Sequence, residues 1–270
     1  MTAQRQVPCV ITIAGSDSGG GAGIQADLKA FARCGVHGAT AITAITVQNT
    51  VEVRGVYPLP GRAIVEQVAA VAEDIGVDAV KIGMLGNVET INAVAEALRH
   101  TGNAPVVIDP VMVAESGSRL LDEDAVQALR ETLLPHATVV TPNVPEARAL
   151  AGLAEEASIE ELARAIHAFG PDNVVVTGGH REEAVDLFFD GREVVEILGP
   201  RYPGGAAHGS GCTHSSALAA HLALGLDPVA AARRAKAIAS EAVRSGLAEL
   251  GAGAGPVDVF GLAQKQPADA

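Results

Sequence analysis

The sequence predicts an α/β fold in which a mostly parallel sheet carries helices on both faces. Short apolar runs alternate with stretches of helical apolar period along most of the 270 residues, and glycine-rich or polar loops follow many of the apolar runs. Repeated strand, helix, strand units imply a parallel sheet, because right-handed crossovers place each helix over it. We expect one domain over residues 1–260 and a flexible tail over residues 261–270.

Eight buried apolar runs are predicted to form the strands of this sheet. The turn Asp190-Gly191 joins the last two runs as a hairpin near the sheet edge. The predicted strands are residues 7–14, 39–47, 78–82, 106–109, 138–141, 173–177, 185–189 and 194–198.

Seven segments carry the helical period. In residues 62–74 the apolar side chains fall at Ile64, Val65, Val68 and Val71, on one helix face. The predicted helices are residues 24–34, 62–74, 88–99, 122–134, 159–169, 213–224 and 228–244.

The composition argues against a membrane protein and against a nucleic-acid-binding protein. Hydrophobic residues make up 48% of the chain, but no apolar run approaches the ~18 residues of a membrane span. The net charge of −13, the absence of Trp and an aromatic content of 3% disfavour a nucleic-acid surface. Cys9, Cys34 and Cys212 lie far apart, and residues 1–8 lack a signal-peptide core. We therefore expect a cytoplasmic location.

The small-residue turn at residues 206–216, which runs into a helix, is predicted to cradle a phosphate. Unpaired N–H groups and the helix dipole favour an anion at a helix start. Gly209 and Gly211 permit a positive φ and close approach of a ligand, and the helix start favours the thiolate of Cys212. This turn alone leaves open the alternative of a glycine-rich helix start with a buried structural cysteine.

Polar groups also follow five predicted strands at their carboxyl ends. Ligands bind at this edge of an open α/β sheet, so we expect the loops to converge on one site. Each loop alone is more often structural, as a helix cap or as loop punctuation. The loops are the glycine run 15–23 with Asp27 beyond it, Gln48-Asn49, Gly83-Met84, Asp109-Pro110-Val111-Met112 and residues 141–146.

These loops do not match several familiar sequence motifs for catalysis and for nucleotide or metal binding. The glycine run lacks the Lys-Ser/Thr ending of a Walker A loop. Residues 21–26 satisfy the dinucleotide pattern, but the next strand ends in Gln48-Asn49 where a ribose-binding acid is required, so a nicotinamide enzyme stays only as an alternative. Cys212 and His214 do not face one another on a helix, and with His208 they lack a second pair of zinc ligands.

Seven motifs occur together and in order. They are residues 13–29, Val47-Gln48-Asn49-Thr50, Lys81-Ile82-Gly83-Met84-Leu85, Asp109-Pro110-Val111-Met112, Thr141-Pro142-Asn143-Val144-Pro145-Glu146, Gly178-Gly179-His180 and His208-Gly209-Ser210-Gly211-Cys212-Thr213. Over about residues 11–260 the chain resembles the hydroxymethylpyrimidine/phosphomethylpyrimidine kinases of thiamine biosynthesis, in the ribokinase-like superfamily. The resemblance implies a ribokinase-like three-layer sandwich, mostly parallel in its central sheet, with helices on both faces.

The resemblance also implies roles for residues of these motifs. The pyrimidine pocket would be lined by Gly15, Asp27, Gln48, Met84, Val111 and Cys212, with Asp27 on the substrate hydroxyl. The nucleotide side would comprise Asp109, Asn143, Glu146, Thr177, Gly178 and Gly179, with Asp109 and Glu146 holding Mg²⁺, Glu146 through water. The catalytic turn would be Gly209, Ser210, Gly211 and Cys212, in which Cys212 is either the proton acceptor or an N–H donor only.

Three positions depart from the family pattern on the nucleotide side. Thr177 and Glu115 stand where the family usually has lysines, and Ala206-Ala207 where it has Asn-Thr. Arg181 is a candidate to replace the missing charge near the phosphates. The sequence therefore predicts an ATP- and magnesium-dependent kinase, expected as a homodimer, that phosphorylates 4-amino-5-hydroxymethyl-2-methylpyrimidine and then its monophosphate. Pyridoxal kinase activity and pyrimidine binding with little catalysis remain alternatives.

Overall fold

The computed structural model describes residues 6–178, 184–202 and 205–264. Within them it has nine strands and eight α-helices. The strands are β1 (Cys9–Asp17), β2 (His37–Gln48), β3 (Val53–Pro58), β4 (Ala79–Ile82), β5 (Val106–Ile108), β6 (Val139–Val140), β7 (Asn173–Val176), β8 (Asp186–Phe189) and β9 (Val194–Ile197). The helices are α1 (Gly23–Cys34), α2 (Gly61–Asp74), α3 (Val88–Ala97), α4 (Glu123–Ala128), α5 (Val144–Ala151), α6 (Ile159–His167), α7 (Ser210–Ala223) and α8 (Pro228–Arg244).

The strands form one sheet in the order β3-β2-β1-β4-β5-β6-β7-β8-β9. The central strands from β2 to β7 are parallel, whereas β3 at one edge and β8 and β9 at the other pair antiparallel. The chain passes from β1 to β2 on one side and later enters β4 on the other side of β1. This reversal of strand order creates a crevice at the carboxyl ends, where open α/β sheets bind ligands.

Alternate residues of the central strands face two separate apolar cores. Ile11 and Ile13 of β1 face one core and Val10 faces the other, as the period of two in a strand requires. The first core contains buried side chains of α2, α3, α5 and α6, and the second contains those of α1, α7 and α8. The predicted three-layer sandwich with helices on both faces is therefore confirmed.

Two elements of the structure are absent from the sequence prediction. β3 runs along the sheet edge with most of its side chains exposed, so it lacks the alternation of a half-buried strand. α5 begins at a capping box, in which the Asn143 side chain accepts from the Glu146 N–H and the Glu146 side chain accepts from the Asn143 N–H. The spacing of these two residues is the signal that would have located the helix.

Two predicted helices differ from the structure. The predicted helix 122–134 is α4 followed by a π-helical turn at Leu129–Leu133 and a 3₁₀ turn at Leu134–His136. α7 starts three residues earlier than predicted, at Ser210, because Gly209 adopts the left-handed conformation and serves as its N-cap. Gly211 and Cys212 consequently lie in the first helical turn.

The carboxyl-terminal segment is described as far as residue 264. Leu262–Gln264 forms a 3₁₀ turn, and the Ala263 N–H donates to the Asp258 carboxylate. Residues 265–270 of the predicted tail lie outside the described residues. In the described part of the chain, no helix combines the length and the apolar character that a membrane crossing requires.

Candidate active site

A cavity of about 440 Å³ lies at the carboxyl ends of the parallel strands. The loops after β1, β2, β4, β5, β6 and β7 converge on it together with the first turn of α7, as the sheet topology predicts. The predicted site residues that line it are Gly15, Gln48, Met84, Asp109, Val111, Asn143, Glu146, Thr177, Gly209, Ser210, Gly211 and Cys212.

Two of the predicted site residues are not brought to this cavity. Asp27 is fully buried behind its wall, and Gly178 donates its N–H to Asp186 and does not line it. Gly179, like Arg181, lies outside the described residues.

The start of α7 presents backbone donors to the cavity. The Ser210 N–H donates to the Ala207 carbonyl and the Thr213 N–H to the Gly209 carbonyl, which leaves the Gly211 and Cys212 N–H groups for an anion. Of the four N–H donors predicted at residues 209–212, the Ser210 N–H is therefore not free to bind a phosphate, because it already donates within the turn.

The two glycines of this turn have different causes. Gly209 has φ +83°, and a Cβ there would lie 1.8 Å from the Gly21 carbonyl oxygen, so only glycine fits. Gly211 is helical and does not use the positive φ that a glycine permits. A Cβ at Gly211 would meet only Asp109 Oδ2, at 4.0 Å, among the described residues, so this glycine keeps open the space between the helix start and Asp109.

The thiol of Cys212 is not favoured as a thiolate, contrary to the sequence prediction. Burial raises the pKa of Cys212 to about 12, although the positive charge of Lys81 acts in the opposite direction. The thiol is therefore protonated at neutral pH in the enzyme without ligands. The two predicted roles of Cys212 are proton acceptor and backbone N–H donor. The N–H group can donate while the thiol is protonated, whereas the sulfur must lose its proton before it can accept another.

Gln48, Met84 and Gly15 form one end of the cavity. The Thr46 hydroxyl donates to Gln48 Oε1 over 3.2 Å and to the Ser16 carbonyl over 2.8 Å, which orients the Gln48 amide. A Cβ at Gly15 would lie 3.1 Å from Met84 Sδ, so the glycine makes room for this thioether at the wall. This end offers one amide among apolar groups.

The capping box of α5 holds Glu146 at another part of the cavity wall. Its Oε2 accepts from the Asn143 N–H over 2.9 Å, and its Oε1 accepts from the Met112 N–H over 3.4 Å. Burial raises the pKa of Glu146 to about 8, and the nearby charge of Asp109 acts in the same direction. Burial also raises the pKa of Asp109, whose Oδ2 accepts from the Ser215 hydroxyl. A buried carboxyl group whose charge is disfavoured by a second carboxyl group beside it forms a suitable place for a cation.

The wall beside Thr177 contains a charged cluster that the motif analysis missed. Lys236 Nζ donates to Asp186 Oδ1 over 2.6 Å, and the Gly178 N–H donates to the same oxygen. His214 Nε2 lies 3.5 Å from Asp186 Oδ2, and burial lowers the pKa of this histidine. Lys236, Asp186 and His214 all line the cavity, so a lysine lies on the predicted nucleotide side, where Thr177 is neutral.

Asp27 has a different role from the predicted contact with the substrate hydroxyl. Its carboxylate accepts from Thr12, Ser216 and Lys81, all of them buried. With both oxygens used in this way, Asp27 has no free position for a substrate. Lys81 lines the cavity in its place.

The glycine run after β1 folds around Asp17. The Asp17 carboxylate accepts from the N–H groups of Gly19, Gly21 and Ala22, and His208 Nε2 lies 3.4 Å from its Oδ2. Burial alone would raise the pKa of Asp17, but these hydrogen bonds lower it. Because the loop donates these N–H groups to its own carboxylate, they do not offer a pyrophosphate site, which disfavours the nicotinamide alternative.

Comparisons with known proteins agree with this geometry. The family model described as phosphomethylpyrimidine kinase matches residues 17–258. A hydroxymethylpyrimidine/phosphomethylpyrimidine kinase of Rhizobium meliloti is 50% identical over 256 residues, which cover 93% of this chain and 96% of that protein. The thiamine biosynthesis bifunctional protein ThiED of Geobacter sulfurreducens is 47% identical over 255 residues, and the chain spans 51% of its length.

A solved structure extends the comparison to the fold. The ADP complex of Bacillus subtilis pyridoxal kinase superposes with a TM-score of 0.87 at 39% identity, covering 96% of this chain and 99% of that chain. The predicted ribokinase-like fold is confirmed by this similarity. The chain therefore belongs to the hydroxymethylpyrimidine/phosphomethylpyrimidine kinase family and is a phosphotransferase.

Proposed function

We propose that the protein transfers the γ-phosphoryl group of ATP to the hydroxymethyl group of 4-amino-5-hydroxymethyl-2-methylpyrimidine, and then phosphorylates the monophosphate, in thiamine biosynthesis. The observation that carries this proposal is that one cavity joins the amide and apolar end at Gln48 and Met84 to the donors of Gly211 and Cys212. A ring bound at the first end places its hydroxymethyl group toward the second.

The pyrimidine is recognised by pairing and by apolar contact. Gln48 has a donor and an acceptor on one amide, which match the neighbouring donor and acceptor of an aminopyrimidine edge. Met84 and Val111 line the same end and would cover the ring faces.

Phosphoryl transfer uses the start of α7. The Gly211 and Cys212 N–H groups would bind the oxygens of the transferring group, where negative charge is spread in the transition state. The acceptor oxygen forms a bond to phosphorus as the bond to ADP breaks, and the hydroxyl proton leaves toward the Asp109 carboxylate, or toward the Cys212 sulfur once that thiol has lost its own proton. Both groups adjoin this point of the cavity.

Asp109 and Glu146 would hold Mg²⁺. Carboxylate oxygens are the ligands that this ion prefers, and a cation would relieve the raised pKa of both groups. Within residues 6–178, 184–202 and 205–264 there is no cluster of three His, Cys, Asp or Glu side chains suited to a metal, so phosphate oxygens and water would complete the coordination. When bound, Mg²⁺ supplies charge neutralisation for the phosphates.

Pyridoxal is the alternative acceptor, because the ADP complex of a pyridoxal kinase is so similar in fold. The test is a steady-state comparison of the two acceptors with ATP and Mg²⁺, with the products identified by mass spectrometry. We expect a higher kcat/KM for the hydroxymethylpyrimidine and formation of both mono- and diphosphate. A higher kcat/KM for pyridoxal would overturn the substrate assignment, and pyrimidine binding without product would overturn the catalytic one.

The proposed assembly is a cytoplasmic homodimer. Apolar side chains on β2 and β3 are exposed at one sheet edge, including Ile45, Val47 and Tyr57. Edge strands with exposed apolar residues are usually covered, and a second copy of the chain would cover these. Cys34 and Cys212 are free thiols, which is typical of a reducing compartment.

A further inference from the structure

Lys81 is a buried lysine in the cavity wall that the roles above do not use. It lies in β4 with its side chain fully buried, and Nζ donates to the two Asp27 oxygens over 2.9 and 3.1 Å. A Cβ at Gly83 would lie 2.8 Å from Lys81 Nζ, so the glycine after β4 keeps space for the ammonium. The motif at residues 81–85 therefore provides both the buried Lys81 ammonium and the glycine that leaves space for it.

Asp27 anchors this ammonium away from the cavity. Its Oδ1 also accepts from the Ser216 hydroxyl, and its Oδ2 from the Thr12 hydroxyl. Only Lys81 of the ion pair lines the cavity. Replacing a buried ion pair by apolar residues is often neutral or stabilising, so the stability of the fold does not by itself account for this charge.

Helix α7 places the ion pair next to the reacting end of the cavity. Cys212 and Ser216 are four residues apart on one helix face, and Ser216 donates to Asp27 over 2.7 Å. The adjacent Ser215 donates to Asp109 Oδ2 over 3.0 Å. Ser215 and Ser216 of α7 thus connect the helix turn that follows Cys212 to the carboxylates of Asp109 and Asp27.

Four groups from three parts of the fold influence the Cys212 thiol. Lys81 comes from β4, Asp27 from α1 and Asp109 from the loop after β5, and the Gly23 N–H donates to the sulfur. Burial raises the pKa of both Cys212 and Asp109, and the charge of Lys81 is the largest effect that opposes this increase at each of them.

We propose that Lys81 is a positioning residue for phosphoryl transfer, whose ammonium, held by Asp27, determines how readily the Cys212 thiol carries negative charge beside the acceptor hydroxyl. The inference rests on the proposed function for the identity of the acceptor. The electrostatic effect on Cys212 itself exists without substrates and can be measured without them.

The test measures alkylation of Cys212 by iodoacetamide at pH 8 in the enzyme without ligands, because the thiolate is the reacting form. Peptide mass spectrometry follows Cys212 and uses Cys34 of the same chain as the reference thiol. The variants are Lys81→Met, Asp27→Asn and the double variant. A change of one pKa unit alters the thiolate fraction about tenfold at a pH below the pKa.

We expect Cys212 to react more slowly in Lys81→Met and faster in Asp27→Asn, since the two charges act in opposite directions. Loosening of the fold would accelerate alkylation in both variants. Changes of the same sign in both, or no change in either, would therefore overturn the proposal.

Lys81→Met leaves Asp27 buried without its partner, so its folding is checked by thermal unfolding. If this variant lacks a cooperative transition, Asp27→Asn is compared with the double variant, because these two differ only in the ammonium. Slower alkylation in the double variant supports the proposal, and equal rates overturn it.

A kinase assay completes the experiment. We expect kcat to fall in Lys81→Met while the KM for ATP changes little, because the ammonium lies at the end of the cavity that is proposed to bind the acceptor. An equal change of both constants would overturn the assignment of Lys81 to that end. Failure of the wild-type enzyme to phosphorylate the pyrimidine would reject the proposed function and leave the alkylation result standing.

Discussion

At the scale of single residues, the proposed role of Gln48 can be tested by measuring pyrimidine binding and nucleotide binding separately. We expect Gln48→Leu to weaken pyrimidine affinity by about 1–3 kcal/mol, because the polar edge of the ring is left unpaired in a closed pocket. ATP affinity should not change. Calorimetric titration measures both, and Met84→Leu serves as a control that alters the same wall and keeps the amide. Unchanged pyrimidine affinity in Gln48→Leu would remove this residue from the site.

Cys212 tests whether the thiol has a chemical role beyond its N–H group. Cys212→Ala keeps the backbone donor, so we expect residual turnover, with kcat reduced about 10²–10⁴-fold if proton transfer to sulfur is lost. The pH dependence of kcat should lose one limb. Cys34→Ala, remote from the cavity lining, is the control. An unaltered rate and pH profile in Cys212→Ala would restrict the residue to its N–H.

Lys236 is the lysine that the structure offers in place of the family's usual one at Thr177. We expect Lys236→Met to raise the KM for ATP, because a cation is lost from the nucleotide side of the cavity. Thr177→Lys in the Lys236→Met background should recover part of this loss. Steady-state kinetics of the two single variants and the double variant measure it. If the KM for ATP is the same in all three as in the wild type, neither position governs the phosphate charge.

The residues missed by sequence reasoning share one physical property. Lys81 lies inside a buried strand, and Lys236 lies on the buried face of α8 among Ala232, Ala235 and Ala239. The sequence signal that could have identified them is a charged residue at a position that the apolar periodicity predicts to be buried. Their partners Asp27 and Asp186 come from distant segments, which no local pattern connects.

At the scale of elements, the start of α7 depends on one glycine. Gly209→Ala combines left-handed strain, about 1–2 kcal/mol, with a clash against the Gly21 carbonyl. Gly225→Ala is a matched control, since Gly225 has φ +87° and a Cβ there would meet no atom of the described residues within 4 Å. We expect the loss in free energy of unfolding to be larger for Gly209→Ala, measured by urea denaturation, and turnover to fall only in that variant. Equal losses would show that the contact with Gly21 is unimportant.

Elements were predictable where their periodicity is strong. The buried strands and α1, α2, α3, α6 and α8 follow from their apolar patterns, within a few residues at the ends. The early start of α7 was not predictable from apolar period, because Ser210 and Gly211 are small residues and the left-handed Gly209 determines the cap. The convergence of the loops followed from the sheet topology, but the use of each side chain within the site did not.

At the scale of the whole molecule, the exposed edge of β2 and β3 predicts the assembly. We expect the protein to sediment as a dimer and Val47→Asp to shift it toward monomer, because a charge is introduced into an apolar surface. Leu198→Asp, at an exposed apolar position after β9, is the control and should leave the dimer intact. Sedimentation velocity of a wild-type monomer, or an unaffected dimer in Val47→Asp, would contradict the assignment.

The three-layer architecture was predictable from the sequence because alternation and crossover handedness leave few arrangements. The single domain over residues 1–260 and the roles given to the site residues stay predictions. The sequence could not show that Asp27 would pair with Lys81 and so be unable to bind a substrate, since that requires knowing that β4 lies beside β1.

The contact between the two glycine-rich loops has a thermodynamic consequence. Gly21 touches Gly209, and Asp17 of the first loop lies 3.4 Å from His208 before the second, so the loop near the pyrimidine end cannot shift without displacing the turn that starts α7. We therefore expect ligands at the two proposed binding ends to be energetically linked. Because such linkage is reciprocal, the factor by which nucleotide changes pyrimidine affinity must equal the factor by which pyrimidine changes nucleotide affinity.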